Sequence, residues 1–447
     1  MDGTYRALLA RGRSRQLIAA LGAAWLSFGM VGLAIFLTAH RTSGSYGLAG
    51  VAVAAFAVGS GVLAPLRGRI LDRRGTRPWL PAFAGGYAIA LLAFAGLARA
   101  GASSWALSLC AAAAGASAPP LVASLRALWP HVVEQAQVRR AYALTSVTGD
   151  IGLVAAPALG GLLFVVASWL PLAVCAISAI AAALVIARVS GAAVRCEAKA
   201  MVAAPLLTRG LKVLLAVEIA LGIALGLADV AIPAAATRWG ETSYSGLLLG
   251  AFALGSVAGG IWFGRRDWKS APQQRYLVAT LLLALALAPP IAATSAATLA
   301  PLLVISGLAY GPATISLFEA LDTLTPSRAT EALTWVTTAG AIGTAAGNAA
   351  SGWAIERFGL WAPFAAASLT LAVAASLGLW NNQRGPARSP TDLNGPGRRT
   401  GTYGLEGPEH AGGSVSVLPR TRRRSVHASR NLPRAPAASL VIGFAAP

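Results

Sequence analysis

Charge is what this sequence has least of. Only 12% of its 447 residues are Asp, Glu, Lys or Arg, while 56% are hydrophobic. A water-soluble domain carries roughly 25% charged residues, so the chain cannot cover a soluble surface of this size. Acidic residues are the scarcest, 16 against 36 basic ones. Cys110 and Cys175 lie in apolar runs and Cys196 in a loop, so the three cysteines give neither a disulfide framework nor metal-ligand spacing. The four histidines, at 40, 131, 410 and 427, are scattered. No Gly-x-x-x-x-Gly-Lys-Ser/Thr loop occurs to cradle a nucleotide phosphate; "GRRDWKS" at 264–270 lacks the glycine before Lys269. No metal site, cofactor, ATP-driven pumping or catalytic constellation is therefore expected, and the chain reads as a non-enzyme.

What the sequence has in abundance is long apolar runs. A bilayer core about 30 Å thick takes roughly 20 apolar residues at 1.5 Å rise each. Lipid offers backbone groups no water partner, so a span must be a helix or part of a closed barrel, and these runs are too long and continuous for barrel strands. The expected fold is all-α, a polytopic membrane protein of twelve spans near 17–39, 47–66, 78–98, 104–125, 141–166, 168–187, 211–236, 246–263, 277–294, 299–319, 332–354 and 360–380. The first run is too long for a cleaved signal peptide and reads as a retained helix.

The formal charge of +20 has a topological explanation, because cytoplasmic loops retain Lys and Arg. Basic residues crowd before the first span and after the second, fourth, sixth and eighth; the opposite side holds only Arg41, Arg99, Arg238 and Arg357. Both termini are expected in the cytoplasm and the chain in the plasma membrane, with no nucleic-acid partner. The longest internal connection divides the spans six and six. The expected organisation is a cytoplasmic segment 1–16, a six-helix bundle 17–187, a central loop 188–210, a second bundle 211–380 and a basic tail 381–447. The tail is rich in Pro, Gly, Ser and Arg without periodicity and reads as disordered.

The two halves echo each other. "AFAVGS" at 55–60 returns as "AFALGS" at 251–256, and Gly68-Arg69 returns at the same offset as Gly264-Arg265. Gly115, Pro119, Pro120 and Ser124-Leu125 are echoed by Gly307, Gly311, Pro312 and Ser316-Leu317. "ALTSVT" at 143–148 pairs with "ALTWVT" at 332–337; beyond it Gly152 answers Gly343 and Gly161 answers Gly352. Six spans separate each pair, so the halves share one topology and are expected to be related by a pseudo-twofold axis along the membrane normal. Parallel repeats with a midplane site between them describe one class of secondary transporter.

Between the second and third spans the chain reads "GRILDRRGTR" (68–77). This resembles the signature loop of the major facilitator superfamily, with Gly68, Asp72, Arg73, Gly75 and Arg77 in the characteristic places and Thr76 where a basic residue is usual. The resemblance implies two six-helix halves that alternate access and a cytoplasmic latch built on this loop. On chemistry alone, Gly68 and Gly75 permit a tight reversal, and Asp72 is expected near the start of the third helix, where negative charge suits the dipole. The fifth span, "GDIGLVAAPALGG" (149–161), is similar to the antiporter motif of drug-efflux members through Pro157, Gly160 and Gly161, with Ala156 replacing a glycine. Gly149, Gly152 and Gly160 add small residues to this helix. Many proton-coupled efflux members carry an Arg inside the fourth helix; here that span has no charge until Arg126.

Ionisable groups inside spans are costly and usually face a cavity or partner. Asp150 lies about 14 Å into the fifth helix and is the candidate proton-coupling group. Glu218 and Asp229 share a face of the seventh helix, eleven residues apart with Gly222 between. Thr334, Thr338, Ala341, Ala345 and Asn348 form a mildly polar face on the eleventh. These point to proton-linked efflux of a small, partly apolar molecule by a monomer. Import or uniport of a small metabolite is the alternative, and a non-transporting membrane sensor stands behind it.

Overall fold

The computed structural model describes residues 12–190, 208–325 and 329–383. The expected N-terminal segment 1–16, the central loop and the tail, with Cys196 and "RTRRR" (420–424), fall mostly or wholly outside these residues. The described chain is helical, with α1 Gly12–Ser43, α2 Tyr46–Arg74, α3 Thr76–Arg99, α4 Ser104–Ser117, α5 Leu121–Val132, α6 Gln135–Val166, α7 Leu170–Val189, α8 Arg209–Arg238, α9 Ser245–Gly264, α10 Pro272–Ala286, α11 Ala296–Leu324, α12 Ala329–Phe358 and α13 Trp361–Gln383. Two short 3-10 turns, Thr242–Tyr244 and Pro289–Ala292, join them. No strand occurs among the described residues.

Local chemistry sets the ends. Ser45, Ser103 and Thr208 cap α2, α4 and α8 by accepting the amides of Leu48, Ala106 and Leu211. Ser295 and Thr298 form a reciprocal capping box on α11. The α1–α2 and α8–α9 connections each turn on a glycine in the left-handed region, Gly44 at φ 68° and Gly240 at φ 78°. These two lie 196 residues apart (240 − 44), the spacing of the repeated hexapeptide.

Eleven helical segments among the described residues are long and apolar enough to cross a membrane. The expected eleventh span forms a helix, α12, but is not one of them. Thr334, Thr337, Thr338, Thr344, Asn348 and Ser351 dilute its apolar content. The expected fourth span, 104–125, is two helices rather than one. Pro119 and Pro120 break it, since proline has no amide to donate and its ring clashes with the preceding turn, and α5 starts anew at Leu121. Its counterpart α11 has Gly311 and Pro312 in the places of Pro119 and Pro120 and continues through Pro312.

The halves repeat one packing scheme. In the first, α2 packs on α4, α1 on α6 and α7, and α3 on α4 and α7. In the second, α9 packs on α11, α8 on α12 and α13, and α10 on α11 and α13. Every pair has its mate. The repeated hexapeptide makes the same contact twice. A Cβ on Gly59 would strike the carbonyl of Ala112, and one on Gly115 the carbonyl of Phe56; Gly255 meets Val304 and Gly307 meets Phe252 in the same way. Between α8 and α12, Gly222 and Gly226 face the carbonyls of Gly340 and Thr344, while Gly343 and Gly347 face those of Ile219 and Ile223. Such small-xxx-small faces bring helix backbones into contact where lipid supplies no hydrophobic drive.

Candidate functional site

Two helix pairs carry the interface between halves: α2 with α12, and α6 with α9. The closest approaches gather where α2 and α9 begin, the end of the bundle away from the basic loops. A Cβ on Gly50 would stand 2.5 Å from the carbonyl of Asn348, and one on Gly352 would strike the carbonyl of Tyr46. Across the pseudo-axis, a Cβ on Gly246 would strike the carbonyl of Pro157, and one on Gly161 would stand 3.0 Å from that of Ser243. The expected correspondence of Gly161 with Gly352 is thus a shared contact, each admitting the first turn of a helix from the other half.

One carboxylate reinforces this junction. Glu356, near the end of α12, accepts the Ser45 hydroxyl at 2.5 Å and the Gly47 amide at 3.0 Å on the same oxygen, Oε1. A carboxylate from one half therefore caps a helix N-terminus of the other. Partial burial pushes the Glu356 carboxyl up, but hydrogen bonds from Ser45 and the Gly47 and Tyr46 amides, with His40 nearby, outweigh it and leave it below its ordinary value. His40 stacks on Tyr46 with ring centroids 4.1 Å apart. Sequence reasoning missed Glu356, because its partners lie more than 300 residues away in the chain.

Helix α6, which carries the glycine-rich run 149–161, is gripped on two faces. Its small residues receive α1: side chains on Gly149 and Gly152 would run into Trp25, and one on Gly160 into Met30 at 2.6 Å. Pro157 and Gly161 face α9. Asp150 belongs to α6, but its side chain lies outside the described residues.

The latch loop differs from expectation in two respects. Helix α2 continues to Arg74, so Gly68 is an interior helical residue with open space around it, and the reversal is made by Gly75 alone at φ 90°. Asp72 accordingly falls in the last turn of α2 rather than the first of α3. The favourable helix-start dipole does not apply there, since carboxylates suit N-termini. The Asp72 side chain lies outside the described residues. Arg73 is exposed in the last turn of α2, and Arg77 lies in the first turn of α3.

An arginine absent from the expected site set sits beside this region. Arg67 is only 4% exposed. Its guanidinium donates to the carbonyls of Gly115 at 2.6 Å, Ala116 at 2.9 Å and Ser60 at 2.7 Å. The proline break leaves the Ala116 carbonyl without the amide that Pro120 cannot give, and Arg67 supplies a donor there; the Gly115 carbonyl also accepts the Ala118 amide at 3.0 Å. A cation thus reaches the fourth span from the second, although that span carries none itself before Arg126.

The carboxylates of α8 point into the second half. Glu218 accepts the phenol of Tyr276 at 3.0 Å and lies against Gly340 of α12, 3.1 Å from where its Cβ would stand. Asp229 is partly buried on the same helix. Tyr310, tilted against Phe252, is within electrostatic reach of both. Asn348 is 2% exposed, its amide oxygen without a hydrogen-bond partner among the described residues. It is packed where α2, α8 and α12 converge.

Two pseudo-symmetric helical halves, joined at one end and holding carboxylates inside a membrane bundle, define a transporter architecture. The family model described as Major Facilitator Superfamily matches residues 17–330, and the chain belongs to that superfamily. Its fold is similar to that of the nucleoside transporter NupG (TM-score 0.62, 15% identity, covering 83% of this chain and 99% of that one). It is also similar to a human organic anion transporter, TETRAN (0.56, 17%, 81% and 98%). A bacterial homolog of the human lysosomal transporter Spinster, inward-facing and unoccupied, matches with 0.61, 15%, 83% and 97%. No curated protein sequence matches the chain.

Proposed function

We propose that the chain is a proton-linked exporter of a small, partly apolar molecule, alternating access between the halves 17–187 and 211–380. Counting α12 gives twelve spans, with both termini on the cytoplasmic side of the plasma membrane. The observation that carries this reading is the symmetric junction at one end of the bundle, where α2 meets α12 and α6 meets α9 through glycine-to-carbonyl contacts. Under the orientation that the basic loops favour, this junction is the outer gate in its closed position. Asp150 is the leading coupling group, because α6 packs on α1 and also crosses to α9. Glu218 and Asp229 contribute from the other half.

Import or uniport of a small metabolite is the second reading, favoured by the lack of an arginine within residues 104–125. The deciding experiment is relief of pH-dye quenching in energised inverted vesicles, screened against lipophilic compounds and small metabolites. Relief by one compound, absent with Asp150→Asn, supports proton exchange. A substrate that equilibrates without moving protons establishes the second reading.

A further inference from the structure

We propose that the cleft between α1, α3 and the start of α7 binds one phosphate- or carboxylate-type anionic group at the level of the lipid headgroups. The cleft has a volume of about 300 Å³ and is lined by Thr38, Arg41, Thr42, Arg99, Ser168 and Trp169, together with Ala95 and Ala98. Two guanidinium groups share it, and its lining holds no carboxylate. Neither arginine forms an ion pair among the described residues. Each sits in the last turn of its helix, where a cation suits the dipole. The dipole accounts for each arginine alone; that both line one cavity with no carboxylate makes the cavity a focus of positive potential.

Their placement strengthens the argument. This end of the bundle has few cations, since most of the basic residues lie at the other. Arg41, Arg99, Arg238 and Arg357 are the exceptions, and two of these four meet in this cleft. The hydroxyls are held in place: Thr38 donates to the Ser168 carbonyl at 3.2 Å and Thr42 to the Thr38 carbonyl at 2.9 Å. Their oxygens stay available as acceptors for a ligand hydroxyl. Trp169 is 42% exposed at the rim, the depth at which amphipathic rings favour the headgroup layer. Guanidinium forks match the oxygens of phosphate and carboxylate. The anion belongs either to a lipid of the adjoining leaflet or to a soluble solute.

The test uses the full chain in phosphatidylcholine nanodiscs with and without phosphatidylglycerol, reading retained lipid by native mass spectrometry. In parallel, inorganic phosphate is titrated in detergent against melting temperature. Wild type is compared with the double variant Arg41→Gln/Arg99→Gln and with Arg238→Gln, which lies outside the cleft. A lipid ligand gives preferential retention of phosphatidylglycerol that falls by roughly fivefold per arginine removed and is unchanged in Arg238→Gln. A soluble ligand gives no lipid preference but a phosphate-dependent rise in melting temperature that the double variant loses. Equal behaviour of wild type and double variant in both assays overturns the site. If the double variant does not assemble, Arg99→Gln alone carries the same comparison.

Discussion

The backbone carbonyl of Phe56 occupies the space that a side chain on Gly115 would need, and the carbonyl of Phe252 does the same at Gly307. The two contacts are one contact made twice, at the positions where the sequence repeats itself. A methyl at either glycine must push apart helices that touch through their backbones. Gly115→Ala and Gly307→Ala should each cost about 1–3 kcal/mol through overpacking. Gly96→Ala, with open space around it, should be neutral or mildly stabilising, because alanine favours the helix. Melting curves of the three variants in detergent check this, and equal melting of all three would remove the backbone contact as a stabilising feature.

Arg67 should be irreplaceable by a neutral side chain. Arg67→Gln leaves the Ala116 carbonyl beside the proline break short of a donor, while Gly115 keeps the Ala118 amide, and a buried unpaired carbonyl costs about 1–3 kcal/mol. Arg67→Lys keeps the charge but loses the fork that spans α4 and Ser60, so it should recover only a fraction of the loss. Protease sensitivity at residues 115–121 and thermal stability are the readouts; wild-type behaviour of Arg67→Gln would show that α4 ends without this staple.

The junction between the halves predicts a shift in conformational population. Gly246→Ala puts a methyl against the Pro157 carbonyl, and Gly352→Ala puts one against that of Tyr46. Both should hold the end of the bundle near Ser45 apart and enrich the state opened there. Spin labels at exposed positions near the starts of α2 and α9 should report a longer distance in both variants. An unchanged distance distribution would mean that the halves do not close on these glycines.

Much of this architecture was legible, and the failures have physical causes. The hexapeptides and the pairing of Gly161 with Gly352 were visible because symmetric contacts need the same small residues in both halves. The α8–α12 contact of Gly222 and Gly226 with Gly343 and Gly347 was not legible, because glycines are frequent throughout the apolar runs and spacing alone does not mark which of them meet. The break at Pro119–Pro120 was hidden within an apolar run, since hydropathy does not register a missing amide. Asp72 was placed on the wrong helix because Gly68 and Gly75 carry the same letter and only one of them turns the chain. Arg67 and Glu356 escaped because their partners are carbonyls, a hydroxyl and an amide on distant helices, which leave no charge pattern in sequence.

Glu356 makes the junction sensitive to acid, in one direction. Its carboxyl lies below the ordinary value while the junction is closed, and returns to that ordinary value when Ser45 and Gly47 move away. The charged form is therefore the one that favours closure. Its contribution is fully present above the open-state value and is lost as pH falls through the lower, closed-state value. Labels reporting on the Ser45–Glu356 junction should show a constant closed population from neutral pH to about 5 and a decline below about 4. Glu356→Gln removes the charge while keeping an acceptor, so it should lower the closed population at neutral pH and flatten the acid response. If Glu356→Gln opens with the same acid profile as wild type, the titrating group lies elsewhere and the Ser45 hydrogen bond is packing alone.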